Sequence, residues 1–271
     1  MNEIYKKLLD GQAKYGIEGK NVAAGLKVDI NLIKRNVVIA PTMQYDCFKE
    51  YNPIVTKLYD KLHEITNLKI GDIEFTFITT GIGAPMFTDV VLSLGVTPCE
   101  NIIFIGSVGA LKEDINIGDI IIPNSSITGE GTSKYLTTKS LEKTDNFGEV
   151  TYPNKELYNL TCDISKEVCR KNNVSWHTLQ NFSTDTIFGQ FAFLDEIKSL
   201  GCDTIDMETS ALFRASEIAG IKATSIFTVS DNTVKNKSLY SGRSIKDKEA
   251  KGFSRYHVTP EIVMEILKNI S

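Results

Sequence analysis

The sequence predicts an α/β protein: a single domain with a mixed, mostly parallel central sheet flanked by helices. Three observations carry this. Short apolar runs such as 37–40 and 101–105 have the length and composition of strands buried on both faces. Amphipathic stretches of helical length alternate with them along the chain, as in sheets covered by helices. No internal repeat, low-complexity tract or linker breaks that order, so one domain accounts for 271 residues.

Residues 1–36 read as a mostly helical N-terminal extension to a domain over 37–271. Ile4, Leu8 and Leu9 have helical spacing, Gly11 and Gly16 interrupt it, and 16–25 reads as loop. Residues 37–40 form a strand that Pro41 ends. The spacing over 46–66 looks helical, with Pro53 marking its start. A strand over 74–79 leads through G-I-G-A-P into a helix over 86–94, stopped by Gly95. Residues 101–105 form an apolar strand ending in G-S-V-G-A, and 119–122 a third, ended by Pro123. Residues 124–153 are polar and rich in Gly, Ser and Thr, which suggests a long functional loop. A helix over 154–171, a strand over 178–182 and a helix over 191–200 follow. Residues 235–251 are charged and fall in no element. A capped helix spans 259–269, with Thr259 ahead of Pro260 at the first helical position.

The formal net charge of −4 argues against a duplex nucleic-acid partner, whose footprint would be basic. No apolar run approaches the roughly 18 residues of a membrane span. The N-terminus lacks the apolar core of a signal peptide. Five scattered cysteines without C-x-x-C read as reduced thiols of a cytoplasmic protein, and no zinc spacing appears.

The chemistry concentrates between Asp203 and Asn232. An apolar-flanked strand ends in Asp206-Met207-Glu208, a helix stops at Gly220, and a second strand ends in Ser230-Asp231-Asn232. The crossover rule puts both strands in one sheet, pointing the same way, with Glu208 and Asp231 at the ends where ligands bind. A carboxylate such as Glu208 can accept from two adjacent hydroxyls, as in a ribose diol; it can also be a helix-start acid favoured by the dipole. Asp206 is either a buried polar partner or another hydroxyl acceptor. Met207 points to the opposite face or turns to touch the sugar. Burial after an apolar strand would raise the pKa of Asp231 and let it donate a proton near neutrality; the alternative is a simple Asx turn. The glycine-rich stretches 81–85 and 106–110 allow close approach of backbone N–H groups to an anion, yet match neither a dinucleotide fingerprint nor a P-loop.

Taken together, T-T-G-I-G-A-P (79–85), I-G-S-V-G-A-L (105–111), I-N-I-G-D-I-I-I-P (115–123), G-E-G-T-S-K-Y (129–135), S-T-D-T-I-F (183–188), D-M-E-T-S-A-L (206–212) and V-S-D-N (229–232) form an ordered set. In that set the sequence resembles the nucleoside phosphorylase superfamily: purine nucleoside phosphorylases, uridine phosphorylases and methylthioadenosine-type nucleosidases. The resemblance implies cleavage of an N-glycosidic bond, with phosphate or with water. It makes Glu208 the ribose anchor with Met207 beside it, and places Ile187 and Phe188 near the base. Asp231 becomes the acid that protonates a departing purine, assisted by Arg243. Gly83 and Ser107 fall in the phosphate or nucleophile region. Asp206 stands where a glutamate is usual.

There are departures. Phe104 replaces an arginine that holds phosphate, and 40–45 lacks the arginine of the first loop. Neither Asp46 nor Glu50 aligns with the water-activating glutamate of hydrolytic members, and residues 1–36 hold no counterpart of the family's inter-subunit histidine. The expectation is thus a phosphorylase acting on a purine nucleoside in a homo-oligomer. Inorganic phosphate would be the co-substrate, without metal or other cofactor. A phosphate-independent nucleosidase and a non-catalytic nucleoside-binding protein remain the alternatives.

Overall fold

The computed structural model describes residues 1–270 as one α/β unit built on a mixed sheet. Strands β1 (Asn36–Ala40), β4 (Ile73–Thr79) and β5 (Asn101–Ala110) run parallel, with β1 between the other two. The β2 (Ile54–Asp60) and β3 (Glu64–Ile70) hairpin extends the sheet antiparallel beyond β4. On the other side the sheet closes on itself. β10 (Lys222–Asn232) pairs with β5 along its length and with β6 (Ile120–Gly129). β6 pairs with β8 (Trp176–Thr184), β8 with β9 (Thr204–Asp206), and β9 returns to the end of β5. A two-residue β7 (Val150–Thr151) borders β6. Closure removes exposed edges from the part of the sheet that carries the carboxylates.

Helices cover both faces. On one, α1 (Glu3–Lys14), α2 (Ala84–Leu94) and α5 (Thr209–Ala219) bury Tyr5, Phe87, Leu94, Leu212 and Phe213 against Ile102 and Phe104 of the sheet. On the other, α3 (Lys155–Asn172), α7 (Thr259–Ile270) and a 3-10 turn over Tyr45–Tyr51 bury Leu157, Val168, Ile262, Val263 and Phe48 against Val38, Ile103 and Ile105. The odd residues of the apolar run 101–105 thus face one layer and the even ones the other, which is why it is apolar throughout. Short α4 (Leu194–Ser199) packs on a smaller cluster with Phe182 and Ile205. The N-terminal segment is part of this core: Tyr5 donates its hydroxyl to Leu92 O at 2.7 Å, and Ala23, Leu26 and Ile33 are buried.

Several expectations need correction. Residues 46–66 are not a helix. Asn52 takes a left-handed conformation ahead of Pro53, and the chain continues as the β2–β3 hairpin. β2 is an outer strand with little burial, so it shows no strand alternation for the sequence to display. Glycines 106 and 109 do not make a turn; they lie within β5, which runs on to Ala110. β6 passes Pro123 because its pairing with β8 shifts register between Pro123 and Ser125, relieving the missing N–H. The long loop is shortened by β6 and two 3-10 turns. α6 (Ile245–Phe253) occupies the charged stretch, behind a Ser244–Asp247 capping box. Thr259 is no cap: its backbone is helical, and a π turn over Ser254–Val258 joins α6 to α7 without a break. Finally, β9 and β10 share the sheet but run oppositely, since β9 is antiparallel and β10 parallel to β5. The crossover rule governs parallel partners and does not apply to this pair.

Candidate active site

β9 ends in Asp206, whose carboxylate accepts from Asn181 Nδ2 and Ser183 Oγ, both at 2.7 Å, and from the Thr209 N–H at 3.0 Å. Thr209 Oγ1 donates to it as well. Asp206 is therefore the buried polar partner of the two roles left open: it caps α5, and its oxygens are occupied by donors. Burial pushes its carboxyl up, while the Thr209, Ser183 and Asn181 bonds pull it down.

With Asp206 capping α5, the side chain of Glu208 makes no cap bond and reaches across to α2. Its Oε1 accepts the Gly83 N–H at 2.7 Å. Gly83 has φ +114, which favours glycine, and it starts α2. Its N–H is spent on orienting Glu208, and Gly83 itself is not among the residues that line the cavity Glu208 faces. Glu208 is only 5% exposed. Burial first, then the charge of Asp206, push its carboxyl up to about 8.

Asp231 lies beyond a bulge in the β10–β5 pairing and is buried. Ser230 Oγ donates to its Oδ1 at 2.6 Å. A Cβ at Gly109 would sit 3.2 Å from Asp231 Oδ2, so the glycine makes room for this carboxylate. Burial raises the Asp231 pKa, against Ser230 and the charges of Arg243 and Lys251. Arg243 does not touch Asp231. It donates to Ser230 O at 3.2 Å and Leu239 O at 2.6 Å, bracing the loop after β10 while its charge acts on the acid from a distance.

Glu208 and Asp231 face one cavity of about 220 Å³, which Ser107, Ile187 and Met207 also line. Phe188 is not brought in. It precedes a 3-10 turn over Gly189–Ala192 and is 91% exposed, and the buried Gln190 lines the cavity instead. Sequence reasoning also missed Thr42, Lys251 and Arg255, which line it too. The two cations lie in a stretch without motif or clear periodicity, so no signal marked them. The orphaned position 104 explains itself: the Phe104 ring centroid lies 4.8 Å from that of Phe87 and 4.9 Å from that of Phe227, inside the helix-covered core. A larger hollow of about 1280 Å³ beneath α1 and α2 gathers no comparable set of acids and cations. No helix among the described residues is long and apolar enough to cross a membrane.

The family model of the phosphorylase superfamily matches residues 39–252. A guanosine phosphorylase from Halorubrum lacusprofundi is 26% identical over 172 residues, covering 64% of this chain and 67% of that protein. Among solved structures, a uridine phosphorylase from Vibrio fischeri ES114 superposes with TM-score 0.70 at 21% identity, covering 89% of this chain and 95% of the other. A 5'-methylthioadenosine/S-adenosyl homocysteine nucleosidase from Campylobacter jejuni superposes with TM-score 0.65 at 15% identity, covering 87% and 99%. The last two likenesses concern the fold.

Proposed function

The chain belongs to the phosphorylase superfamily, and from that premise we propose that it cleaves the N-glycosidic bond of a purine nucleoside. The family includes both nucleoside phosphorylases and nucleosidases. The observation that carries the purine reading is the pairing of two buried acids of unlike surroundings on one cavity. Glu208 is oriented by a backbone N–H, whereas Asp231 is fixed by a serine hydroxyl.

Glu208 accepts hydrogen bonds from two ribose hydroxyls, with Met207 against the sugar. Those donors favour the ionised carboxylate, so binding drives a proton off Glu208. The resulting anion lies near the sugar as positive charge builds at C1′ during cleavage. Asp231, whose carboxyl burial pushes up, gives its proton to the base nitrogen as the C–N bond breaks. A purine carries a ring nitrogen that accepts such a proton; Ile187 and Gln190 line the same cavity.

The test is base release from guanosine, inosine, adenosine and uridine, followed by chromatography. Cleavage of purine nucleosides that slows sharply in Asp231→Asn supports the reading. Cleavage of uridine alone, at a rate unaffected by Asp231→Asn, refutes the purine assignment.

A further inference from the structure

The stretch 129–135 belongs to the ordered set of motifs, yet it places no residue on the cavity. Its acid is buried all the same: Glu130 is 5% exposed. One carboxylate oxygen, Oε2, accepts the Thr132 N–H at 2.6 Å and the Ser133 N–H at 3.0 Å. The other, Oε1, accepts the Ser133 hydroxyl and, at 3.2 Å, the Ser210 hydroxyl of α5. Burying a carboxylate is costly unless donors meet its oxygens. The bonds from Thr132 and Ser133 shape the loop itself. The bond from Ser210 spans 80 positions of chain and ties that loop to the start of a helix.

Ser210 is the second residue of α5, and Glu208 immediately precedes the helix. This first turn is held from three points. Asp206 accepts the Thr209 N–H at 3.0 Å, and Ser183 Oγ accepts the Ser210 N–H at 2.9 Å. Both come from strands of the sheet, β9 and β8. Glu130 reaches the turn from a loop on the Ser210 side chain. The loop is anchored in its own right: Gly131 donates its N–H to Asp185 Oδ2 at 2.9 Å, two residues before Ile187 of the cavity wall. Glu130 lies outside the cavity, so it acts on the chemistry only through the backbone that carries Glu208. A helix start that drifts would pull Glu208 from the Gly83 N–H, now at 2.7 Å, and misaim the carboxylate. A misplacement of about 1 Å can cost roughly 100-fold in rate.

We propose that Glu130 is a positioning residue for the ribose anchor: it fixes the first turn of α5 through Ser210 and so sets where Glu208 stands in the cavity. This rests on the ribose role given to Glu208 above.

The experiment compares kcat/KM for guanosine and 2′-deoxyguanosine in the wild type, Glu130→Ala, Glu130→Gln and Ser210→Ala. Crystal structures of the wild type and the two alanine variants accompany it. Glu130→Ala should lower kcat/KM for guanosine about 10- to 100-fold and for 2′-deoxyguanosine by less, so that discrimination narrows. Ser210→Ala removes one bond of the carboxylate and should narrow discrimination in the same direction. Glu130→Gln should stay close to the wild type. Its carbonyl oxygen can face the two backbone N–H groups while the serine hydroxyls turn to accept from its amide. In crystals of Glu130→Ala the Glu208–Gly83 contact should lengthen beyond about 3.5 Å. A lower melting temperature with discrimination and this contact both unchanged marks a role in stability alone and overturns the inference. Equal losses on the two nucleosides with the contact intact overturn it too, while leaving glycosidic cleavage standing. If Glu130→Ala does not fold, Ser210→Ala decides by the same two readouts. If the wild type cleaves no nucleoside, the cleavage reading fails and the crystal contact decides the positioning alone: its loss in the variants sustains the inference, and its retention sinks it.

Discussion

Replacing Glu208 by glutamine should make the folded protein markedly more resistant to alkaline conditions. The carboxyl moves from 4.5 in the open chain to about 8 in the fold, so the native state holds a proton that the unfolded state has released. Stability therefore falls as pH rises through that window and levels off above it. Near pH 5 the unfolded carboxyl has just begun to outpace the folded one, and the cost is slight. By pH 9 both states are ionised, and the native state bears the penalty of a buried anion beside Asp206. Between those two pH values the wild type should lose on the order of 4 kcal/mol relative to Glu208→Gln. The amide keeps an oxygen for the Gly83 N–H and removes only the charge. The assay is urea denaturation of both proteins at pH 5, 7 and 9, reading the difference in unfolding free energy. A difference that changes by less than about 1 kcal/mol across that range would show that Glu208 ionises normally and that its burial does not perturb it.

Asp231→Asn should slow purine release by about 100- to 10,000-fold with little change in substrate affinity, because it removes a proton donor and not a contact; equal rates would take Asp231 out of the chemistry. Glu208→Ala should erode discrimination between ribonucleosides and 2′-deoxynucleosides, seen as converging kcat/KM values, and unchanged discrimination would refute the ribose role. Nucleoside binding at pH 7 should release a proton from Glu208, detected as a calorimetric enthalpy that varies with the ionisation heat of the buffer. Phe104→Ala should cost about 3–5 kcal/mol of stability, since it empties the space between Phe87 and Phe227; a loss below about 1 kcal/mol would mean that the ring is not part of the packed core.

Much of this was legible in the sequence wherever a residue's role depends on its own neighbours in the chain. The apolar runs of β1 and β5 are dictated by burial on both faces. The D-M-E stretch sits at a strand–helix junction that any α/β pattern would reveal. Asp206 was undecided because its four donors come from Asn181, Ser183 and Thr209, and two of those residues lie on a different strand. The β2–β3 hairpin was hidden because an outer strand with exposed Ile54 and Val55 follows no burial period. Arg255 was hidden for a different reason: its partner Thr42 is 213 positions away, and only the folded chain brings them together.

The π turn that joins α6 to α7 bears on how the protein comes into being on the ribosome. Its Ser254 hydroxyl donates to Gly118 O, and its Arg255 reaches back to Thr42. Strands β1 and β5 can be synthesised and begin to pair while 251–258 are still unmade, because chains fold progressively from the N-terminus as they emerge. The two acids of the cavity would then be made before the two cations that line it with them. A chain cut between Asn232 and Lys251 would keep both acids and lose both cations of the cavity, and it should release no base from a purine nucleoside.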